Sequence, residues 1–245
     1  MAQGSEGNLG KYTPYGGTKL TIKKGLLPLA LVSVMVLGAA ASAEPVRISG
    51  TATVLDGDTV DIGVIRIRLH GIDAPEDSQI CQDKNGRYWS CGTASTNFLA
   101  DWIDGKEVEC LALERDLYGR VIGTCYKDGI DLNAAMVREG LAWAFTRFSD
   151  DYVVEEASAR EAKLGIWQAE NTPAWEWRGQ AWERAVVASP DGCPIKGNIN
   201  RQGEKIYHTP WSRWYDRVQI DESKGQRWFC DEAEALAAGW RAPLR

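Results

Sequence analysis

The chain has 245 residues, with 28 Lys and Arg against 34 Asp and Glu, giving a formal net charge of −6. An acidic balance excludes nucleic-acid binding through a broad basic surface, so any such site has to be local. The length suits one domain with a small appendage.

The N-terminus has the layout of an export signal. Lys23 and Lys24 precede an apolar run from Leu26 to Ala41, which closes on the small-x-small sequence Ala41-Ser42-Ala43. The run is short for a membrane span of about 20 apolar residues. The expectation is a signal peptide over residues 1–43, removed to leave a periplasmic or secreted chain that begins at Glu44 and has no stable membrane insertion. The removed part carries Lys11, Lys19, Lys23 and Lys24 against Glu6, so the remainder is more acidic than the whole.

Val46 to Leu55 alternates and is rich in Val, Ile and Thr, which predicts a strand. Asp56-Gly57-Asp58 is a turn. Thr59 to Ile62 and Ile65 to Ile72 then form a predicted hairpin around Gly63, in which Ile65, Ile67 and Leu69 alternate with Arg66, Arg68 and His70. Phe98, Leu99, Trp102 and Ile103 fall at helical spacing within residues 93–103. Lys106 to Leu113 and Val121 to Tyr126 make a second strand pair across Asp116-Leu117-Tyr118-Gly119. A helix follows with Asp131 as N-cap and Gly140 as its stop, and another runs from Ser149-Asp150-Asp151 to Lys163-Leu164-Gly165.

Five strands with a helix between the third and fourth suit a partly open OB-type barrel with packed α-helices. The expected division is a barrel domain over 44–168, a linker with a Trp-rich helix (Trp175, Trp177, Trp182) over 169–190, and a small C-terminal α+β module over 191–245. In the module, short strands surround Ile195 and Ile206, a strand covers Arg227 to Phe229, and a helix from Asp231 to Ala238 stops at Gly239.

All six cysteines lie after the export signal, and an even count there implies disulfides. No Cys-x-x-Cys is present, and the histidines are only His70 and His208, so a zinc site is not expected. Six cysteines allow 15 connectivities. The expected framework is Cys81–Cys91 around one loop, Cys110–Cys125 across the second strand pair, and Cys193–Cys230 clasping the terminal module.

Two segments concentrate acids and arginines. One holds Asp58 in Asp-Gly-Asp-Thr-Val and continues through Arg68, Asp73, Ala74 and Glu76; the other is Asp116-Leu117-Tyr118-Gly119-Arg120. The first hairpin brings the three carboxylates of Asp58, Asp73 and Glu76 to one mouth of the barrel. Close carboxylates repel one another unless a cation lies between them. Oxygen donors without His or Cys select calcium or magnesium. Arg68 and Arg120 add a guanidinium clamp for a phosphate. Together these groups describe phosphodiester hydrolysis. His70 is read as filling a strand position.

In this order, Asp-Gly-Asp-Thr-Val, Arg-x-x-x-x-Asp-x-Pro-Glu and Asp-x-Tyr-Gly-Arg resemble the staphylococcal-nuclease (thermonuclease) family, over about Val46 to Trp167. The resemblance implies an SNase-like barrel and a calcium-dependent nuclease that leaves 3′-phosphate ends. It implies metal ligation by Asp58, Asp73 and the carbonyl of Ala74, catalysis by Arg68, Glu76 and Arg120, and substrate contact by Tyr118. The partner is DNA or RNA, and the chain is expected to be a monomer. Two departures stand out: Leu117 replaces a lysine of the family's best-known member, and the region after Gly-Leu-Ala offers Phe145 and Phe148 where that member has tyrosines. The last module resembles a small domain appended to bacterial secreted nucleases. The competing readings are a non-catalytic nucleic-acid- or protein-binding barrel of the cell envelope and a structural envelope protein with a Trp-rich tail.

Overall fold

Alternating apolar residues build the first strands. In the computed structural model, which describes residues 45–243, β1 (Val46–Asp56) buries Ala52 and Val54 and exposes Thr51 and Thr53. β2 (Thr59–Ile62) and β3 (Ile65–Leu69) turn Val60, Ile62, Ile67 and Leu69 inward. The chain then passes through β4 (Ile72–Asp73), the hairpin of β5 (Cys81–Gln82) and β6 (Tyr88–Trp89), and α1 (Cys91–Ile103). β7 (Glu107–Arg115), β8 (Val121–Lys127), β9 (Ile130–Asp131), α2 (Leu132–Arg138), β10 (Trp143–Ala144) and α3 (Val153–Glu161) complete the first part. The segment 1–43, expected to be an export signal, lies outside the described residues.

The barrel order is β3-β2-β1-β7-β8, each neighbour antiparallel. A parallel pairing of β3 with β8, with Ile67 opposite Val121 and Leu69 opposite Gly123, closes what the sequence suggested as a partly open barrel. Inside lie Ile67, Leu69, Val108 and Val121, with Leu99 and Ile103 of α1 and Leu132, Met136 and Val137 of α2. Each large apolar side chain buried this way contributes about 1.5–3 kcal/mol. Asp131 caps α2 by accepting from the Ala134 N–H at 2.9 Å.

Two elements differ from the sequence reading. The strand expected over Ile65 to Ile72 ends at Leu69, because Gly71, at φ +70°, turns the chain out of the sheet. Ile72 and Asp73 instead pair with Trp143 and Ala144. The helix expected from Ser149 starts at Val153, since Ser149 and Asp150 are used in a turn in which Asp151 N donates to Ser149 Oγ.

After a short 3₁₀ turn at Gly165–Gln168, Pro173 precedes α4 (Ala174–Ala188). β11 (Ile195–Ile199), β12 (Lys205–His208) and β13 (Arg227–Phe229) form a three-stranded sheet with β11 at its centre, covered by α5 (Glu232–Ala237). α4 bridges two clusters. Ala174 and Trp175 pack with Trp143, Ile166 and Trp167, whereas Trp182 packs with Ile195, Phe229 and Trp240. The disulfides are Cys81–Cys91, Cys110–Cys125 and Cys193–Cys230, the expected framework. Among the described residues no helix is long and apolar enough to cross a membrane.

Candidate active site

The turn between β1 and β2 is pinned by Asp56, whose Oδ1 accepts the Asp58 N–H at 3.1 Å. This places the buried Asp58 at the start of β2, where Oδ2 accepts the Ala74 N–H at 2.9 Å and Oδ1 accepts the Thr59 hydroxyl at 3.0 Å. Opposite Thr59 on β3 stands Arg68. Its Nη1 donates to Asp58 Oδ1 at 2.6 Å and its Nη2 to Asp73 Oδ1 at 2.7 Å. Asp73 is fully buried, carried there by the β4–β10 pairing.

Glu76 follows on a loop pressed against the start of α1. A Cβ added at Gly92 would stand 1.7 Å from the Glu76 carbonyl oxygen, so only glycine permits this approach. Gln79, also buried, accepts the Glu76 N–H at 3.2 Å. The structure thus brings Asp58, Asp73, Ala74, Glu76 and Arg68 together.

Arg120 stands apart from this cluster. Asp116 Oδ1 accepts the N–H groups of Tyr118 and Arg120, both at 2.9 Å, and Asp116 Oδ2 accepts Arg120 Nε at 2.6 Å. The guanidinium is held under the half-exposed Tyr118 ring, 5.4 Å from its centroid, on another wall of the same cleft. His70 pairs with Asp151 at 3.0 Å at the rim.

Sequence reasoning missed Arg178. From α4 it donates to both Asp73 oxygens and to Glu76 Oε1, at 2.7–3.0 Å. The available signal was its position: Arg178 lies four residues after Ala174 and seven before Ala185, on the stripe that α4 buries. A charge on a buried stripe calls for a partner.

Electrostatics divide the acids. Burial works against ionising Asp58, but the Arg68 charge, the Ala74 N–H, Arg178 and Arg120 outweigh it and hold its carboxyl below the usual value. At Asp56, burial and then the Asp58 and Glu76 carboxylates outweigh the Arg68 charge and the Asp58 N–H, and push its carboxyl up. Burial pushes Glu76 up to about 7, with Arg178 pulling the other way. Among bases, the buried carboxylates raise Arg68 and Arg178 against the cost of desolvation.

Asp58, Arg68, Ala74, Glu76 and Arg178 line an open cleft of about 1700 Å³, and the fully buried Asp73 is joined to them through Arg68 and Arg178. Phe145 and Phe148 line it, as do Trp211, Arg213 and Trp214 from the C-terminal part. That second wall is fastened by Ser78 Oγ donating to the Trp211 carbonyl at 3.1 Å and by an Arg213–Asp77 ion pair at 3.2 Å.

Every acceptor at the base is an oxygen, a donor set suited to a hard divalent ion. Among the described residues no group of three or more His, Cys, Asp or Glu is arranged to hold a metal. Two carboxylates and a carbonyl are a partial set, which leaves coordination positions for water and substrate oxygens. The oxygen-only donors of Asp58, Asp73 and the Ala74 carbonyl fit a hard divalent cation in their chemistry, while Arg178 is paired with Asp73 and Glu76.

Residues 66–169 match the family described as Staphylococcal nuclease homologue, and residues 179–242 match the family described as ArfC. The chain is 32% identical over 166 residues to the succinoglycan biosynthesis protein ExoI of Rhizobium meliloti (strain 1021), covering 66% of this chain and 85% of that protein. It is 38% identical over 133 residues to an uncharacterized endonuclease of Escherichia coli, covering 51% and 80% respectively. A micrococcal nuclease of Shigella flexneri is 36% identical over 143 residues, covering 51% and 76%.

Proposed function

The chain belongs to the staphylococcal-nuclease family, and on that premise we propose that it is a calcium-dependent nuclease that hydrolyses DNA or RNA and leaves 3′-phosphate ends. The observation that carries this reading is the convergence of Asp58 and Asp73 on Arg68, with Glu76 tied to Asp73 through Arg178, beside a cleft that Arg120 also lines.

Asp58, Asp73 and the Ala74 carbonyl would hold the ion. When bound, calcium supplies Lewis-acid polarisation of the scissile phosphate. Glu76 orients a water molecule and takes its proton as the water oxygen bonds to phosphorus. The bond from phosphorus to the 5′ oxygen breaks, and that oxygen leaves with the bonding pair and gains a proton from solvent. Arg68 and Arg120 donate to the phosphate oxygens that gain charge, where removal of one such donor typically costs about 10²–10³ in rate. Tyr118 meets the substrate on the Arg120 wall.

The domain division proposed is 44–168 for the nuclease domain, 169–190 for the linker and its helix, and 191–245 for the module. Three disulfides support an oxidising compartment, periplasmic or extracellular. A monomer is the proposed state.

The rival reading is a barrel that binds nucleic acid without cutting it. Glu76→Gln separates the two. The nuclease reading expects labelled DNA to stay bound while cleavage falls at least about 10²-fold. A binder would hold DNA equally in both forms and cut it in neither.

A further inference from the structure

The two stretches that match known families end and begin on either side of Arg178, at 169 and 179. This arginine nevertheless makes the densest set of contacts to the acids. Nη1 donates to Asp73 Oδ1 at 3.0 Å and to Glu76 Oε1 at 2.7 Å, while Nη2 donates to Asp73 Oδ2 at 2.8 Å. One planar guanidinium therefore fixes the spacing between a proposed metal ligand and the proposed base. The cluster is enclosed, with side-chain exposures of 0% for Asp73, 19% for Glu76 and 20% for Arg178.

A plain anchoring role for this ion pair is poorly motivated, because the helix is fastened without it. Asn171 exchanges hydrogen bonds with the Gln82 backbone at 2.7 and 3.0 Å. Gln79 Nε2 donates to the Thr172 carbonyl at 2.8 Å. Trp175 stacks on Phe145 at 5.4 Å and meets Trp143 edge-on at 6.1 Å. Enclosing a guanidinium and two carboxylates is an inefficient way to add stability, since desolvation consumes most of the attraction.

Gln79 supplies a second link between α4 and the Glu76 loop. Its Oε1 accepts the Glu76 N–H while its Nε2 holds Thr172. Both the backbone and the carboxylate of Glu76 are thus registered from the segment that leads into α4.

Building on the nuclease reading, we propose that Arg178 is a positioning residue of the active site, which holds the Glu76 carboxylate in register with Asp73 and shares Asp73 with the divalent ion. Without the bridge, Glu76 rotates among its side-chain rotamers, and a displacement of about 1 Å at a catalytic group costs on the order of 10²-fold in rate. Lysine would not substitute fully, because a point charge cannot donate in a planar fork to two carboxylates. The guanidinium also opposes a second cation at Asp73. Its removal therefore affects turnover and ion affinity in opposite directions.

The test compares the wild-type chain with Arg178→Gln and Arg178→Lys. Turnover and KM are measured on single-stranded DNA at saturating calcium, and binding of calcium alone is measured by titration calorimetry without substrate. The expected result for Arg178→Gln is a kcat about 10–100-fold lower, KM within a few-fold of wild type, and tighter calcium binding. Arg178→Lys should recover only part of kcat. Unchanged kcat in an active background overturns the inference. So does a joint loss of kcat, calcium affinity and Tm, the pattern of a loosened helix. Should Arg178→Gln fail to fold, Arg178→Lys decides alone: reduced kcat at wild-type Tm supports the role, and full turnover overturns it. A wild-type chain that cuts nothing overturns the nuclease reading itself, and this inference with it.

Discussion

Asp58 Oδ2 accepts the Ala74 N–H at 2.9 Å, so one carboxylate joins the first turn of the barrel to the segment that follows Asp73. The same side chain is proposed to ligate the ion, which gives Asp58 two separable duties. Asp58→Ala should abolish calcium binding and also lower stability in calcium-free buffer by about 1–3 kcal/mol, through the buried N–H left without a partner. Asp58→Asn keeps an acceptor and should recover much of that stability without recovering calcium binding. Urea unfolding beside calcium calorimetry checks both halves. Equal stability losses in the two variants would show that the Ala74 contact is not what Asp58 contributes.

Arg68 reaches Asp58 with one nitrogen and Asp73 with the other, at 2.6 and 2.7 Å. A lysine at this position can pair with only one carboxylate at a time. Arg68→Lys should lower kcat by about 10²–10³-fold. Its loss of Tm should be larger without calcium than with it, since the ion would neutralise the carboxylate that lysine abandons. Thermal scans at both conditions read this directly, and an equal loss in the two would count against a cation bound between these acids.

Cys110 and Cys125 stand directly opposite each other on β7 and β8, 15 residues apart in sequence. Closing a loop of that length restricts the unfolded chain by about 3 kcal/mol. The double variant Cys110→Ala/Cys125→Ala should therefore lose about 2–4 kcal/mol in urea unfolding. Its turnover at low temperature should stay close to wild type, because neither sulfur lies at the cleft.

His208, on β12, is nearly enclosed, and burial followed by the nearby Lys196 charge lowers its pKa to about 4. Its ring faces Ser212 Oγ at 3.4 Å. Unfolding releases the imidazole to its ordinary value near 6.5, so between about pH 6.5 and 4 the unfolded chain binds the extra proton. Stability tied to His208 is complete above that window and is lost as pH falls through it. The difference in Tm between wild type and His208→Gln should shift against wild type on acidification from pH 7 to 5. A pH-independent difference would remove His208 from the acid response.

Much of the barrel was legible because its signals are local. Alternation in β1 to β3, the turn at Asp58, the Asp131 cap and the tight turn before Arg120 all fall within a few residues of one another. The β4–β10 ladder was not legible, since two-residue strands are too short to show alternation. Its absence from the sequence reading left Ile72 assigned to the end of β3, and Asp73 to the chain just beyond it. Arg178 was hidden for a different reason. It contacts residues 102 and 105 positions earlier across a linker, and nothing around it in sequence mentions them. Only the conflict between its charge and the buried stripe of α4 pointed to an ionic partner. Arg120 shows the reverse case: its motif was plain, but its pairing with Asp116 rather than with the acid cluster depends on how the β7–β8 turn folds.

Hydrolysis of phosphodiesters with a divalent ion at the acid–arginine cluster is open to one direct measurement. The direct measurement is digestion of single-stranded DNA and of RNA by the purified chain across a calcium titration, with a chelator arm and analysis of the product ends. Cleavage should rise with calcium, stop with chelator, resume when calcium is restored, and yield 3′-phosphates. Nucleic acid left intact at every calcium concentration would contradict the nuclease reading.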